Sequence, residues 1–192
     1  MKFKNEKKFL SVMFAVVMLT AVMFTGCGGE KSAQPEEVSA EEDKEPYILT
    51  FEAVTTEGEA FSSDCFSKSK LTMLNIWATY CNPCLQEMPD LGEIAASRDE
   101  SEFQMIGIIS DVKEDAGTKE IDAAKDLIIQ TNAETYPHLL LGDSLYHNLV
   151  GAVNAVPMTF FVNQEGELLG YVEGSRSKED WEAMIDGILE EE

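Results

Sequence analysis

Two cysteines, Cys81 and Cys84, are separated by only two residues in the run Trp77-Ala-Thr-Tyr-Cys-Asn-Pro-Cys84. They follow an apolar segment and lie where a helix is predicted to begin, so they would be one helical turn apart. This spacing allows one sulfur to attack a disulfide of another molecule and the second sulfur to resolve the mixed disulfide. The unpaired N–H groups and the dipole at a helix start would also stabilise a thiolate. The pair therefore indicates thiol–disulfide exchange.

The same spacing occurs in structural zinc sites, but those sites normally have a second pair of ligands. The other cysteines, Cys27 and Cys65, are far apart, and the two histidines, His138 and His147, do not form a spaced ligand pair. The sequence therefore favours redox chemistry over metal binding, and it predicts neither a metal nor a cofactor. The sequence leaves two interpretations of Cys65 open: it is either a small, partly buried residue or a third redox cysteine.

The N-terminal region has the features of an export signal. Four lysines precede an uncharged run of 16 residues, Phe9 to Phe24, which is shorter than the roughly 20 residues of a membrane-spanning helix but suits a signal peptide. Small residues then lead to Cys27, as in a bacterial lipobox, although Phe24 occupies a position where Leu is usual. We predict a signal peptide over residues 1–26 and a lipidated Cys27. The alternative is an uncleaved anchor, and both place the folded part outside the cytoplasmic membrane.

The chain then divides into a tether and a domain. Residues 30–46 contain one large apolar residue, Val38, among many acids, and such a segment cannot bury enough surface to offset its ordering entropy. We therefore predict a disordered acidic tether over residues 27–46 and one domain over residues 47–192. The net charge of −22 argues against nucleic acid and against direct binding of anionic lipid head groups as partners.

The apolar pattern of the domain alternates between strands and helices. Residues 47–54 and 59–61 predict a β-hairpin, and Leu71–Trp77 predicts a strand that is buried on both faces. A helix is predicted from Cys81 or Asn82 to about Ser97, with a kink at Pro89. The remaining predicted elements are a strand at Phe103–Ile109, a polar loop at Asp111–Thr118, a helix at Lys119–Thr131, a strand at His138–Leu141, a short helix at Ser144–Val150, a hairpin at Met158–Val162 and Glu167–Val172, and a last helix capped at Ser177. Such an order predicts a central sheet with helices on both faces and the cysteines at the carboxyl end of a strand.

Two segments resemble a known family. They are Leu74–Pro89, which contains both cysteines, and Ala155–Val162, with the sequence Ala-Val-Pro-Met-Thr-Phe-Phe-Val. Together they resemble the membrane-tethered TlpA/ResA-like branch of the thioredoxin-fold thiol–disulfide oxidoreductases, over about residues 47–190. The resemblance implies an α/β, thioredoxin-like fold with a central mixed β-sheet, helices on both faces and an N-terminal β-hairpin. It also implies roles in reducing disulfides of exported proteins, including cytochrome c maturation, with electrons from a CcdA/DsbD-like membrane thiol transporter.

The resemblance assigns roles to several residues. It implies that Cys81 is the attacking thiol and Cys84 the resolving one. Pro157 matches a cis-proline that faces the dithiol, so that Val156 can pair with an extended substrate strand; the alternative is an ordinary trans proline. Trp77 matches an aromatic residue that packs beneath the site.

The residues between and around the cysteines bear on the direction of electron flow. Asn82 and Pro83 would lie against the substrate, and their pair lacks the His that stabilises the thiolate of strong oxidants, which favours a reductant. Asn75 replaces the buried Asp of classical thioredoxins. Glu87, one helical turn after Cys84, matches an active-site Glu of ResA-like members and would exchange a proton with the buried thiol, each raising the other's pKa. The alternative for Glu87 is a solvated helix residue.

Three other functions are alternatives to a disulfide reductase. A peroxiredoxin shares the scaffold but needs a Pro and a Thr at fixed spacing before its reactive cysteine. Thr79 is two residues before Cys81, but no Pro stands upstream. A copper-delivery module of this fold uses a Cys-x-x-x-Cys spacing and a distant His, and the spacing here is one residue shorter. A non-enzymatic binding module is the third alternative.

Overall fold

A computed structural model describes residues 46–191 of the chain. The predicted signal peptide, the lipidation site Cys27 and the predicted tether up to residue 45 lie outside the described residues. The described part contains seven strands, four α-helices and two short 3-10 helices. The strands are β1 (Glu52–Val54), β2 (Ala60–Ser62), β3 (Leu71–Trp77), β4 (Phe103–Lys113), β5 (His138–Leu141), β6 (Met158–Asn163) and β7 (Leu168–Glu173). The helices are α1 (Asn82–Ser97), α2 (Thr118–Gln130), α3 (Asp143–Asn148) and α4 (Lys178–Leu189), and the 3-10 helices span Ser63–Lys68 and Val150–Ala152.

The main sheet has five strands in the order β5-β4-β3-β6-β7. Strands β3, β4 and β5 are parallel, whereas β6 runs antiparallel to β3 and β7 antiparallel to β6. Strands β1 and β2 form a separate antiparallel hairpin, joined to β5 by a bridge between Thr55 and Leu139. The predicted mixed sheet and N-terminal hairpin are therefore confirmed.

The central strand β3 is buried along its whole length and separates two apolar clusters. Met73 and Trp77 belong to the cluster that includes residues of α1, α2 and α4, whereas Leu74 and Ile76 belong to the cluster that includes α3 and the N-terminal segment. Alternate side chains of a strand point to opposite faces, so an uninterrupted apolar run can serve both layers at once. Helices cover both faces of the sheet, as predicted.

Most predicted elements form within two residues of the predicted bounds, and three differ. The first predicted strand, over residues 47–54, is shorter, because β1 spans only Glu52–Val54 and Ile48 instead forms an isolated bridge with Glu167. Strand β4 continues to Lys113, so the predicted loop at Asp111–Thr118 is wrong for its first three residues: Val112 is buried, and Lys113 pairs with Leu141 beyond an irregularity in the register. The predicted short helix ends early, since α3 stops at Asn148 and a 3-10 turn follows. No helix within residues 46–191 is long and apolar enough to cross a membrane.

Candidate active site

The cysteine pair lies where β3 ends and α1 begins. Cys81 is the N-cap of α1, and its sulfur accepts a hydrogen bond from the backbone N–H of Cys84 at 3.3 Å. The two sulfurs form a disulfide, with Cα atoms 5.3 Å apart. Pro83 lies in the first turn of the helix, where its missing N–H would have no intrahelical partner. The predicted position at the start of a helix is confirmed, and the structure holds the oxidised form of a redox pair.

The two cysteines are both buried, but not to the same degree. Cys81 is 6% exposed and Cys84 is 0% exposed. Tyr80, Asn82 and Pro83 around them are exposed, and Tyr80 reaches 74%. Cys81 is therefore the more accessible cysteine of the pair. The exposure of Tyr80 was not predicted, because the residues around it do not indicate whether this aromatic side chain is buried or exposed.

The loop between β3 and Cys81 is held by the end of β4. The backbone N–H of Thr79 donates to both carboxylate oxygens of Asp111, at 3.0 and 3.2 Å, and the Thr79 hydroxyl donates to the same group at 2.5 Å. The Ser110 hydroxyl donates to the carbonyl oxygen of Trp77 at 2.9 Å. These bonds fix the backbone that leads into Cys81, and they engage the Thr79 hydroxyl away from the sulfur.

A cis peptide bond joins Val156 to Pro157, as the motif predicted. Pro157 comes directly before β6, whose first residue, Met158, pairs with Ile76 near the end of β3. The start of β6 and the end of β3 therefore share one edge of the sheet, the edge from which Cys81 projects into α1. Pro157 is buried and Val156 is half-buried.

Glu87 is buried rather than solvated, so the interpretation of a surface helix residue is wrong. Its side chain is 3% exposed and accepts three hydrogen bonds. Asn75 Nδ2 donates to Oε1 at 3.2 Å, while the backbone N–H of Arg176 and the indole Nε1–H of Trp181 donate to Oε2 at 3.2 and 3.3 Å. Cys84 is three residues earlier on the same helix, so the two residues lie on the same face of α1.

Burial raises the pKa of Glu87 above its ordinary value, because a carboxylate loses its hydration in the core. The three donors and the positive charge of Arg176 oppose this effect without cancelling it. A carboxyl group with a raised pKa and donors suited to its charged form can hold a proton or release one. Glu87 is therefore chemically able to exchange a proton with a neighbouring thiol.

Trp77 lies in the same apolar cluster as both cysteines and is fully buried. Its indole N–H donates to Nδ1 of His138 at 3.2 Å, and the other ring nitrogen of His138 bonds to the carbonyl oxygen of Ala133 at 2.9 Å. The His138 ring lies over Gly107, where a Cβ would be 2.3 Å from Nδ1. Both nitrogens of His138 are thus engaged in the core, which supports its interpretation as a packing residue; His147 is exposed.

His138 should make the protein sensitive to acid. Burial lowers its pKa from 6.5 to about 4, so the unfolded chain takes up a proton more readily than the folded chain. Stability should therefore fall as the pH drops from about 6.5 to about 4, by roughly 3 kcal/mol at about 1.4 kcal/mol per pKa unit. We expect His138→Asn to reduce the difference in the free energy of unfolding in urea between pH 7 and pH 4.5. The exposed-site control His147→Asn should keep the parent's difference, and equal differences in all three proteins would contradict this account.

Cys65 is placed away from the dithiol. It lies in the 3-10 helix Ser63–Lys68 and belongs to the apolar cluster on the other face of the sheet. Its thiol is free and buried, and burial raises its pKa to about 12. A thiol that stays protonated is a poor nucleophile, so the structure supports the packing interpretation of Cys65.

Comparisons with known proteins agree with this geometry. Residues 47–170 match the model of a family described as the AhpC/TSA family. The thiol-disulfide oxidoreductase ResA of Bacillus cereus is 24% identical over 185 residues, which covers 96% of this chain and 98% of that protein. A thioredoxin family thiol:disulfide interchange protein from Chlorobium tepidum aligns with a TM-score of 0.62 and 24% identity, over 77% of this chain and 99% of that one. The pneumococcal exposed lipoprotein thioredoxin Etrx1 from Streptococcus pneumoniae aligns with a TM-score of 0.58 and 20% identity, over 72% of this chain and 98% of that one. These structural likenesses show the thioredoxin-like fold.

Proposed function

Because the chain belongs to the AhpC/TSA family, as its match over residues 47–170 shows, we propose that it is a thiol–disulfide oxidoreductase that reduces disulfides in exported proteins. The observation that carries this proposal is the disulfide-bonded Cys81–Cys84 pair at the start of α1, in which Cys81 is 6% exposed and Cys84 is 0% exposed. A relative of nearly equal length is named a thiol-disulfide oxidoreductase, and this activity suits the geometry of the pair.

The catalytic cycle starts from the reduced pair. The Cys81 thiolate attacks one sulfur of a substrate disulfide, a mixed disulfide forms, and the other substrate sulfur leaves as a thiolate that takes up a proton. The Cys84 thiolate then attacks the Cys81 sulfur, which releases the second substrate sulfur and closes the Cys81–Cys84 bond. The second substrate sulfur also takes up a proton, so two electrons and two protons pass to the substrate. A membrane thiol transporter of the CcdA/DsbD-like class then supplies two new electrons, which reduce the Cys81–Cys84 bond.

The neighbouring residues have separate roles in proton transfer, substrate binding and packing. Glu87 accepts the proton of Cys84 so that the second attack can proceed. The half-buried Val156, preceding the cis-proline Pro157, offers its backbone to an extended substrate segment, while the exposed Asn82 and Pro83 lie against that segment. Trp77 fills the space beneath the pair. The burial of Glu87 and the shared edge of β3 and β6 support these roles.

We propose that this cycle operates on the outer side of the cell membrane, with the domain tethered through a lipid on Cys27. Support comes from the export signal and lipobox-like segment in the sequence and from a structural neighbour described as an exposed lipoprotein. In such an oxidising compartment a reductant needs a continuous supply of electrons. This requirement supports the membrane thiol transporter as a partner.

Three measurements on the full chain in detergent separate the reductase from a peroxidase and from a strong oxidant: disulfide reduction, peroxide consumption and the reduction potential. We expect the protein to catalyse disulfide reduction, to consume hydrogen peroxide no faster than the Cys81→Ser variant, and to have a reduction potential well below the value of about −120 mV typical of strong oxidants. The absence of a His between the cysteines is the reason for the expected potential. The hydrogen bond from the Thr79 hydroxyl to Asp111 is the reason for the expected lack of peroxide consumption. A potential near that of the strong oxidants would reverse the direction, and rapid Cys81-dependent peroxide consumption would favour a peroxidase.

A further inference from the structure

Trp181 connects the last helix to the centre of the site. Its indole ring is fully buried on α4, and its Nε1–H donates to Oε2 of Glu87 at 3.3 Å across 94 residues of sequence. The ring also packs against Phe161 of β6. Trp181 therefore has both a packing role and a polar contact, and the polar contact goes to the buried carboxyl group of Glu87, one helical turn after Cys84.

The same carboxylate oxygen has a second donor from this part of the chain. The backbone N–H of Arg176 donates to Oε2 at 3.2 Å, and Arg176 directly precedes Ser177, the N-cap of α4. Two of the three hydrogen bonds to Glu87 thus come from the segment that begins α4. Hydrogen bonds to a carboxylate favour its charged form, so this segment opposes the effect of burial.

We propose that Trp181 is a positioning residue for Glu87, whose indole N–H holds Oε2 in place and sets the pH range in which Glu87 takes the proton from Cys84. This inference rests on the proposed function, in which Glu87 is the proton acceptor. Because the indole nitrogen can only donate, its bond is stronger when Glu87 is charged. It therefore stabilises the form of Glu87 that accepts a proton.

Glu87 also has neighbours on β3, on α1 and before β5. Asn75 reaches it from β3, and the exposed Arg176 contributes its backbone N–H and a positive charge. Tyr136, before β5, is buried, and the charge of Glu87 helps to raise its pKa. Cys84 lies on the same helix. Of the two buried side-chain donors to Glu87, Asn75 also donates to Thr159, whereas no second acceptor of the Trp181 N–H is found among residues 46–191. Trp181 is therefore the donor whose removal affects Glu87 most selectively.

The inference is tested by the protonation of Glu87 in Trp181→Phe. In the full chain in detergent micelles, the infrared carbonyl band that is absent in Glu87→Gln reports the protonated carboxyl group. Loss of a hydrogen bond to a charged group should raise the midpoint of this band by about one pH unit, a tenfold change in the proton affinity of Glu87. Trp77→Phe is the matched control, because it removes an indole N–H that donates to His138 instead. An unchanged midpoint in a folded Trp181→Phe protein would overturn the inference.

A second measurement needs no substitution at Trp181. The chain has two tryptophans, so labelling with 5-fluorotryptophan gives a two-signal fluorine spectrum. The Trp181 signal should shift with the Glu87 midpoint in the parent and lose that shift in Glu87→Gln, while the Trp77 signal does not follow this midpoint. A Trp181 signal that does not shift with the Glu87 midpoint in the parent would overturn the inference. Capture of substrate disulfides by Cys81 is measured separately, so a failure of the proposed function is distinguishable from a failure of this inference.

Discussion

Replacing Cys81 with serine is expected to lower kcat/KM for disulfide reduction by a factor on the order of 10³ or more, as removal of an attacking nucleophile does in other enzymes. The physical reason is that Cys81 is the more accessible residue of the pair, at 6% exposed, whereas Cys84 is 0% exposed. A serine hydroxyl stays protonated near neutral pH and cannot form a mixed disulfide. The measurement is the steady-state reduction of a protein disulfide by the full chain, with a small dithiol as the source of electrons.

The control for this prediction is Cys65→Ala. Cys65 is buried in the cluster on the other face of the sheet, so this variant should keep the parent's kcat/KM once its folding has been verified. A Cys81→Ser protein that retains most of the parent's activity would show that another group performs the attack. That result would support the alternative that the protein is a non-enzymatic binding module.

Replacing Glu87 with glutamine should slow the second half of the cycle. A general base contributes roughly a factor of 10² to 10⁴, so we expect release of substrate from the mixed disulfide to slow by at least about a hundredfold near neutral pH. The neutral amide can keep hydrogen-bonding in the buried site but cannot accept the Cys84 proton. Formation of the mixed disulfide by Cys81 should change much less, because this step does not need Cys84 to ionise. Rapid mixing followed by acid quench separates the two steps.

The pH dependence distinguishes a proton acceptor from a purely structural residue. As the pH rises, Cys84 ionises without help, so the deficit of Glu87→Gln should shrink towards alkaline pH. Glu93→Gln is the matched control: Glu93 lies on the same helix but is exposed and pairs with Lys178 at 2.6 Å. Identical rates and identical thiol titrations in Glu87→Gln and the parent would remove Glu87 from the mechanism.

The local features of the site were predictable from the sequence because they depend on neighbouring residues. The apolar run Leu71–Trp77 and the cysteine pair after it define a buried strand and a helix start, and α1 forms over Asn82–Ser97 as expected. The cis bond before Pro157 followed from a short motif. In each case the information lies within a few residues of the feature.

The contacts that determine the chemistry of the site were not predictable, because they join distant segments. Trp181, Met184, Ile185 and Ile188 are spaced so that they share one face of α4, but such a pattern identifies the buried face and not its partner. The bonds from Trp181 to Glu87 and from Thr79 to Asp111 depend on the docking of α4 on α1 and on the extension of β4 to Lys113. The extension was missed because Asp111 and Lys113 are charged, whereas the pairing of Lys113 with Leu141 of β5 involves a distant segment.

The central claim is that Cys81 meets the substrate and Cys84 resolves the bond that forms. Its most direct test is mass spectrometry of the mixed disulfides that accumulate when Cys84→Ser is produced as the full chain in cells. We predict that fragments of exported proteins are joined to Cys81, and that Cys81→Ser captures none. Fragments joined to Cys65, or equal capture by both variants, would contradict the claim.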